Sequence, residues 1–198
     1  GYFSIPQSEG YLRAAARLGY GLKLHGDEFV SNGAGFLAAR VKATSIEHLI
    51  AVTQEEIGAL ADCDTVSVLL PGVSFFLRMN RYAPARSLLD AGALVALGTD
   101  FNPGSSMLSS QLMVFHLGIY QLGMTIEEAF NAVTINAAKA IGMEQELGSL
   151  DPGKSLDCLL LDAPDLNYVA YHLGYRAVDT VVSGGRVVVR GGRLIPEG

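Results

Sequence analysis

Residues 93–106 read ALVALGTDFNPGSS. A run of small and apolar residues gives way to a carboxylate, Asp100, and then to turn formers. So short an apolar run after Gly92 reads as a strand buried on both faces, the habit of a parallel sheet covered by helices. Asp100 stands at its tip, and Asn102, Pro103 and Gly104 turn the chain. The same layout recurs upstream. GLKLHGDE (21–28) carries His25 and Glu28 past one apolar run, and SIEHL (45–49) ends another on His48. TVSVLL (65–70) is a fourth such run, closed by Pro71-Gly72. Helix-like segments separate the four, so the strands are expected to be parallel, with every polar tip at one end of one sheet. In a βα barrel that end carries the chemistry.

The helices are expected over 9–18, capped by Ser8 and stopped by Gly19, and over 33–41, 83–92, 109–122 and 125–140. Thr53-Gln-Glu-Glu56 and Thr125-Ile-Glu-Glu128 fit capping boxes, and the helix after the first runs to about Asp62. At GSLDPGKSLDCLLLD (148–162) helical periodicity gives way to short β-runs, and TVVSGGRVVV (180–189) reads as a hairpin around Gly184-Gly185. A boundary near residue 148 divides a βα part, 1–148, from a β part, 149–198. A full (β/α)8 barrel takes about 250 residues and closes on eight strands. Four strands cannot close, so either the sheet is smaller and open, or half of a barrel lies outside this chain.

Composition narrows the partners. The chain of 198 residues is 49% hydrophobic and 17% charged, with net charge −6 and pI about 5.1. Its Lys and Arg are scattered, the opposite of a nucleic-acid footprint. Cys63 and Cys158 are far apart and form no metal-binding spacing, and they read as reduced thiols. The longest apolar stretch, VSVLLPGVSFFL, is broken by Pro71-Gly72 and falls short of a membrane span. GYFSIPQSEG lacks the layout of a signal peptide. A cytoplasmic protein with no membrane or nucleic-acid partner is the expectation.

His25 and Glu28 are three apart, which in a continuing strand would send them to opposite faces. Gly26 and Asp27 suggest that the strand has ended, so the two can converge on one pocket. A histidine satisfied by a backbone carbonyl beside a solvated Glu28 fits the same pattern. His48 taken alone suits a structural role. Asp100 is the stronger signal, with Gly104, Ser105 and Ser106 offering free amides and hydroxyls to an anion near a helix N-terminus; an ordinary turn capped by Asp100 is the alternative. His116, in QLMVFHLGIYQLG, reads as core packing, Asp157 as turn chemistry, and His172 as lying away from the site. Phe75 and Phe76 are expected in the core. It is the recurrence of polar tips in successive βα units that points to a metal-assisted hydrolase.

With those residues laid out, the chain resembles the metal-dependent amidohydrolase superfamily and, within it, the imidazolonepropionase family of histidine degradation. LHGDE, SIEHL, LLPGVSFFL, EEAFNAVTINAAKAIG, GSLDPGKSLDCLLLD and above all TDFNPGSS carry the resemblance, over nearly the whole chain. It implies the C-terminal part of a (β/α)8 TIM-like barrel plus part of a small β-sandwich domain. It implies His25 and Asp100 as ligands of one Zn²⁺ or Fe, Glu28 as the group that hydrogen-bonds the imidazolone ring, and His48 as the catalytic histidine. Asp100 would also take a proton, and Asn102, Gly104 and Ser105 would line the substrate loop. The substrate implied is 4-imidazolone-5-propanoate, opened at its cyclic amide C–N bond to N-formimidoyl-L-glutamate, by an enzyme expected as a homodimer. The family's HxH pair is absent from this sequence, as is the first half of the barrel, so the chain would begin after the fourth strand. Two other readings use the same residues: a nucleobase-type deaminase, and a catalytically incomplete half-barrel that acts as a structural or interaction piece.

Overall fold

A computed structural model describes residues 3–196. Four short strands, β1 (Lys23–Gly26), β2 (Ser45–His48), β3 (Val66–Leu69) and β4 (Val95–Leu97), form one parallel sheet in chain order. Leu24 pairs with Ile46, Ile46 with Ser67, and Ser67 with Val95. Each strand lies beside its predecessor, so the sheet winds one way, as a barrel does, without the strand-order reversal of a doubly wound fold. Among the described residues β1 and β4 are open edges.

On one face of this sheet pack α2 (Ala34–Val41), α3 (Gln54–Ala61), α5 (Ala85–Asp90), α6 (Gln111–Tyr120) and α7 (Ile126–Val133), with α1 (Ile5–Arg17) against α2 and α4 (Pro71–Phe76) against α6. The core between helices and sheet is aliphatic. Leu37, Ile46, Leu49, Ile57, Leu60, Leu69, Leu88 and Leu97 are all essentially inaccessible to solvent. Each such side chain contributes about 1.5–3 kcal/mol by leaving water. The opposite face is covered in part by α8 (Ile135–Ala140), where Ala140 packs with Val66, Ala96, Val68 and Leu94. On that face Lys23 of the edge strand reaches Glu47 at 3.2 Å and the Ala140 carbonyl at 2.7 Å.

Several elements depart from the sequence expectation. α1 begins one turn early, because Ser4 and Gln7 form a reciprocal capping box with Pro6 in the first turn, a stronger start than Ser8 alone. The helix expected over 125–140 is two helices. Its break is at Thr134 (φ −121°, ψ −98°), whose hydroxyl donates to the Phe130 carbonyl at 2.7 Å and competes with the backbone ladder. Pro71 does more than end β3: it opens α4, which carries Phe75 and Phe76 to the surface, 54% and 50% exposed, so neither is a core residue.

After α8 come β5 (Cys158–Leu161), α9 (Leu166–Tyr171), β6 (Val178–Ser183), β7 (Arg186–Arg190) and β8 (Arg193–Leu194). These strands make one antiparallel sheet in order β5-β6-β7-β8. The β6–β7 hairpin turns on Gly184 and Gly185 at φ 54° and 77°, values that glycine adopts without strain, and pairs Ser183 with Arg186. The second layer of a sandwich is not among the described residues. No helix is long and apolar enough to cross a membrane among the described residues.

Candidate active site

The strand tips converge as the spacing predicts, by means the spacing does not reveal. Of the non-glycine residues with positive φ, four lie at the C-terminal ends of β1, β2 and β4: Asp27 (50°), His48 (79°), Leu49 (59°) and Asp100 (47°). Left-handed backbone at ordinary residues is costly and gathers where a fold must aim particular side chains. At Asp27 it turns the chain out of β1 so that Glu28 comes back toward β2. At His48 and Leu49 it bends the chain beneath that turn, where the Leu49 amide donates to the Gly26 carbonyl at 3.1 Å. Gly26 is required there, since a Cβ would come within 2.5 Å of Ala34 Cβ and 2.8 Å of Ile46 Cδ1.

His25 and His48 are in direct contact, Nδ1 to Nε2 at 2.9 Å, with ring centroids 4.9 Å apart. The two rings share one proton in that hydrogen bond. His25 sits exposed on the edge strand, whereas His48 is 3% exposed. Burial, and then His25 beside it, lower the His48 imidazole to about 4, outweighing the opposing pull of Asp100 and Glu47. His48 is therefore neutral near pH 7. Its Nδ1 has no hydrogen-bond partner, and the nearest carboxylate oxygen, Glu28 Oε1, is 3.8 Å away, too far for a hydrogen bond. Burial and the neighbouring Asp100 raise the Glu28 carboxyl above the ordinary range, against the pull of His25. A carboxyl moved toward neutrality beside a neutral imidazole is a pairing suited to proton transfer.

The loop after Asp100 is organised by Asn102. Its side-chain oxygen accepts the Gly104 and Ser105 amides, each at 2.8 Å, and its Nδ2 donates to the Asp100 carbonyl at 2.7 Å. Asn102 and Ser106 bridge across the loop, and the buried Ser106 hydroxyl donates to the Thr99 carbonyl at 3.1 Å. The expected anion cradle is thus closed internally: both amides are already bonded, and α6 does not begin until Gln111.

His25 and Asp100 are the two side chains that the family resemblance implies as metal ligands. With His25 Nδ1 engaged by His48, Nε2 remains for a cation. Among the described residues no group of three or more His, Cys, Asp or Glu side chains is arranged to hold a metal ion. Two donors fall short of the four that a tetrahedral zinc takes.

Two residues of this region escaped the sequence reading. Asp27 (2% exposed) and Glu56 (1%) are buried carboxyls that meet at the Gly35 amide, which lies 3.2 Å from an oxygen of each. Burial and then the Glu56 carboxylate raise Asp27. Burial would raise Glu56 as well, but hydrogen bonds from Thr53, Asp27 and Ser31 bring it below the ordinary value. Asp27 looks like a turn residue and Glu56 like a capping residue in sequence, and no local signal joins them. His116 is core, bonded through Nε2 to the Val169 carbonyl at 2.9 Å. His172 stacks on Tyr168 away from the site, and Asp157 accepts the Gly184 amide at 3.0 Å.

Residues 15–188 match the Amidohydrolase family. The chain is 44% identical over 195 residues to the imidazolonepropionase of Alkaliphilus oremlandii, covering 98% of this chain and 46% of that protein. It is 46% identical over 194 residues to the imidazolonepropionase of a Geobacillus species, with coverage of 98% and 46%. The chain therefore spans about half the length of these relatives. Among solved structures it resembles a zinc-bound adenosine deaminase from Xanthomonas campestris (TM-score 0.77, 21% identity, 100% of this chain and 52% of that one). It also resembles a mutant atrazine chlorohydrolase from Arthrobacter aurescens complexed with zinc and atraton (TM-score 0.78, 21% identity, 99% and 50%). At that identity the structures speak for the fold, and the sequence match speaks for descent: this chain belongs to the amidohydrolase family.

Proposed function

We propose that the chain forms the second half of an imidazolonepropionase. Residues 1–148 would be the last four βα units of a (β/α)8 barrel, and 149–198 part of a small β-sandwich domain. The reaction proposed is hydrolysis of the cyclic amide C–N bond of 4-imidazolone-5-propanoate to N-formimidoyl-L-glutamate. The observation that carries it is the 2.9 Å His25–His48 contact with Glu28 beside it, at the C-terminal end of a parallel sheet. The names of the relatives support the substrate.

His25 and Asp100 are the residues of this chain that would hold a Zn²⁺ or Fe ion, the remaining donors coming from outside the chain. Such an ion lowers the pKa of a bound water toward neutrality. Asp100 takes a proton from the attacking water. His48, neutral and buried, donates to the developing oxyanion of the ring carbonyl. Glu28 holds the ring through a hydrogen bond and passes a proton to the leaving nitrogen; its raised pKa suits it to both acts. Asn102, Gly104 and Ser105 border the substrate at the β4 end. The site of action is proposed to be the cytoplasm, in a homodimer, with no nucleic-acid or membrane partner.

The test is complementation. The chain is mixed with the N-terminal half of the Alkaliphilus imidazolonepropionase and with zinc or iron, and N-formimidoyl-L-glutamate is followed by mass spectrometry. Product that depends on both halves supports the reading. A well-folded, metal-loaded mixture that leaves the substrate intact overturns it.

The open edges of β1 and β4 favour a second reading, in which the chain is a half-barrel that pairs with another copy and does no chemistry. Its mark would be a concentration-dependent size with no turnover in any mixture.

A further inference from the structure

We propose that Glu56 is a positioning residue for Glu28 and His48, an inference that takes from the preceding section only the roles of those two groups. Glu56 is the last residue of a capping box, and capping requires only its reciprocal bonds with Thr53 (3.0 and 3.3 Å). It does more. Its carboxylate also accepts the Ser31 hydroxyl at 3.1 Å and the Gly35 amide at 3.2 Å, so it binds the loop after β1 to the turn after β2. That loop carries Glu28, and that turn follows His48. Asp27 completes the stitch: its carboxyl accepts the Asn32 amide at 2.8 Å, and its carbonyl accepts the Ala51 amide at 2.6 Å.

The Thr125–Glu128 capping box, the other one closed by a glutamate, is the control. Glu128 is bonded to Thr125 in the same way, but its side chain is 29% exposed and its remaining contact is the exposed Arg86. Glu56 is 1% exposed and sits so close to α2 that a Cβ on Gly35 would come within 2.9 Å of Glu56 Cβ. A buried carboxylate bridging two loops, each bearing a reactive group, fixes their separation as an outer hydrogen-bond partner does.

The experiment needs no turnover, so it stands apart from the fate of the hydrolase reading. Amide exchange and the histidine ring resonances are recorded by NMR for the whole chain as Glu56→Ala, Glu56→Gln, Thr53→Ala and Ser31→Ala. Glu56→Ala is expected to speed exchange at Gly35, whose amide it deprives of one carboxylate, by at least about tenfold, the scale of one lost charge-assisted hydrogen bond, and to move the His48 ring signals. Glu56→Gln, which keeps an oxygen for Gly35, restores them in part. Thr53→Ala removes the cap alone and leaves them in place. If Glu56→Ala does not fold, Ser31→Ala decides, because it cuts one exposed arm of the bridge. His48 signals unmoved by the loss of Ser31 or Glu56, or moved equally by Thr53→Ala at the same loss of stability, overturn the proposal.

Discussion

His25 lies exposed on an edge strand and His48 lies 3% exposed on its neighbour, yet their rings meet at 2.9 Å. One histidine faces solvent, while the other is held neutral behind it. The left-handed turn at His48 makes the contact, since an extended residue there would send the ring elsewhere.

If His25 and Asp100 hold the metal, removal of either should abolish turnover in the completed enzyme. We expect His25→Ala and Asp100→Ala to lower activity by at least about a hundredfold, beyond the range for outer-shell partners, and to release the bound metal. Near-normal turnover with retained metal in either variant, read by product formation and elemental analysis, would refute the site.

The depressed His48 imidazole makes a pH signature in the metal-free chain. Its folded pKa of about 4 lies below the ordinary 6.5, so folding favours the neutral ring. The stabilisation is fully present above 6.5. It is lost as pH falls from 6.5 to about 4, because the unfolded chain takes up the proton first. The span amounts to roughly 3 kcal/mol. Urea unfolding at pH 7 and pH 4.5 should show a steeper loss in the parent chain than in His48→Gln. Equal pH dependence in the two would mean that the ring titrates normally.

Phe75 and Phe76, both about half exposed, should tolerate truncation in this chain. Phe75→Ala is expected to cost less than about 1 kcal/mol, whereas Leu69→Ala, at a fully buried site, should cost about 2–5 kcal/mol. Chemical denaturation of both variants makes the comparison; a core-sized loss at Phe75 would place it in a buried contact.

Gly26→Ala should destabilise by about 1–3 kcal/mol, the usual range for overpacking, because the added methyl meets Ala34 and Ile46 inside contact distance. The β1 end would be pushed off α2, and the His25–His48 contact would be lost with it. An unchanged melting temperature would show that the strand end yields without strain.

The sequence by itself determined the parallel order of the four strands and the end at which His25, Glu28, His48 and Asp100 gather. Apolar runs separated by helical periodicity and capping boxes admit little else. It also determined the Gly184-Gly185 hairpin and the core place of His116. It placed α1 one turn late and ran α7 into α8, because caps compete and a threonine hydroxyl can break a helix that periodicity would continue. Only the tertiary structure decided that Phe75 and Phe76 are exposed, that Asn102 takes up the amides of its own loop, and that Asp27 and Glu56 meet at Gly35. Such contacts join residues distant in the chain or depend on left-handed turns at ordinary side chains. Local pattern carries neither, because burial and backbone strain are properties of the packed whole.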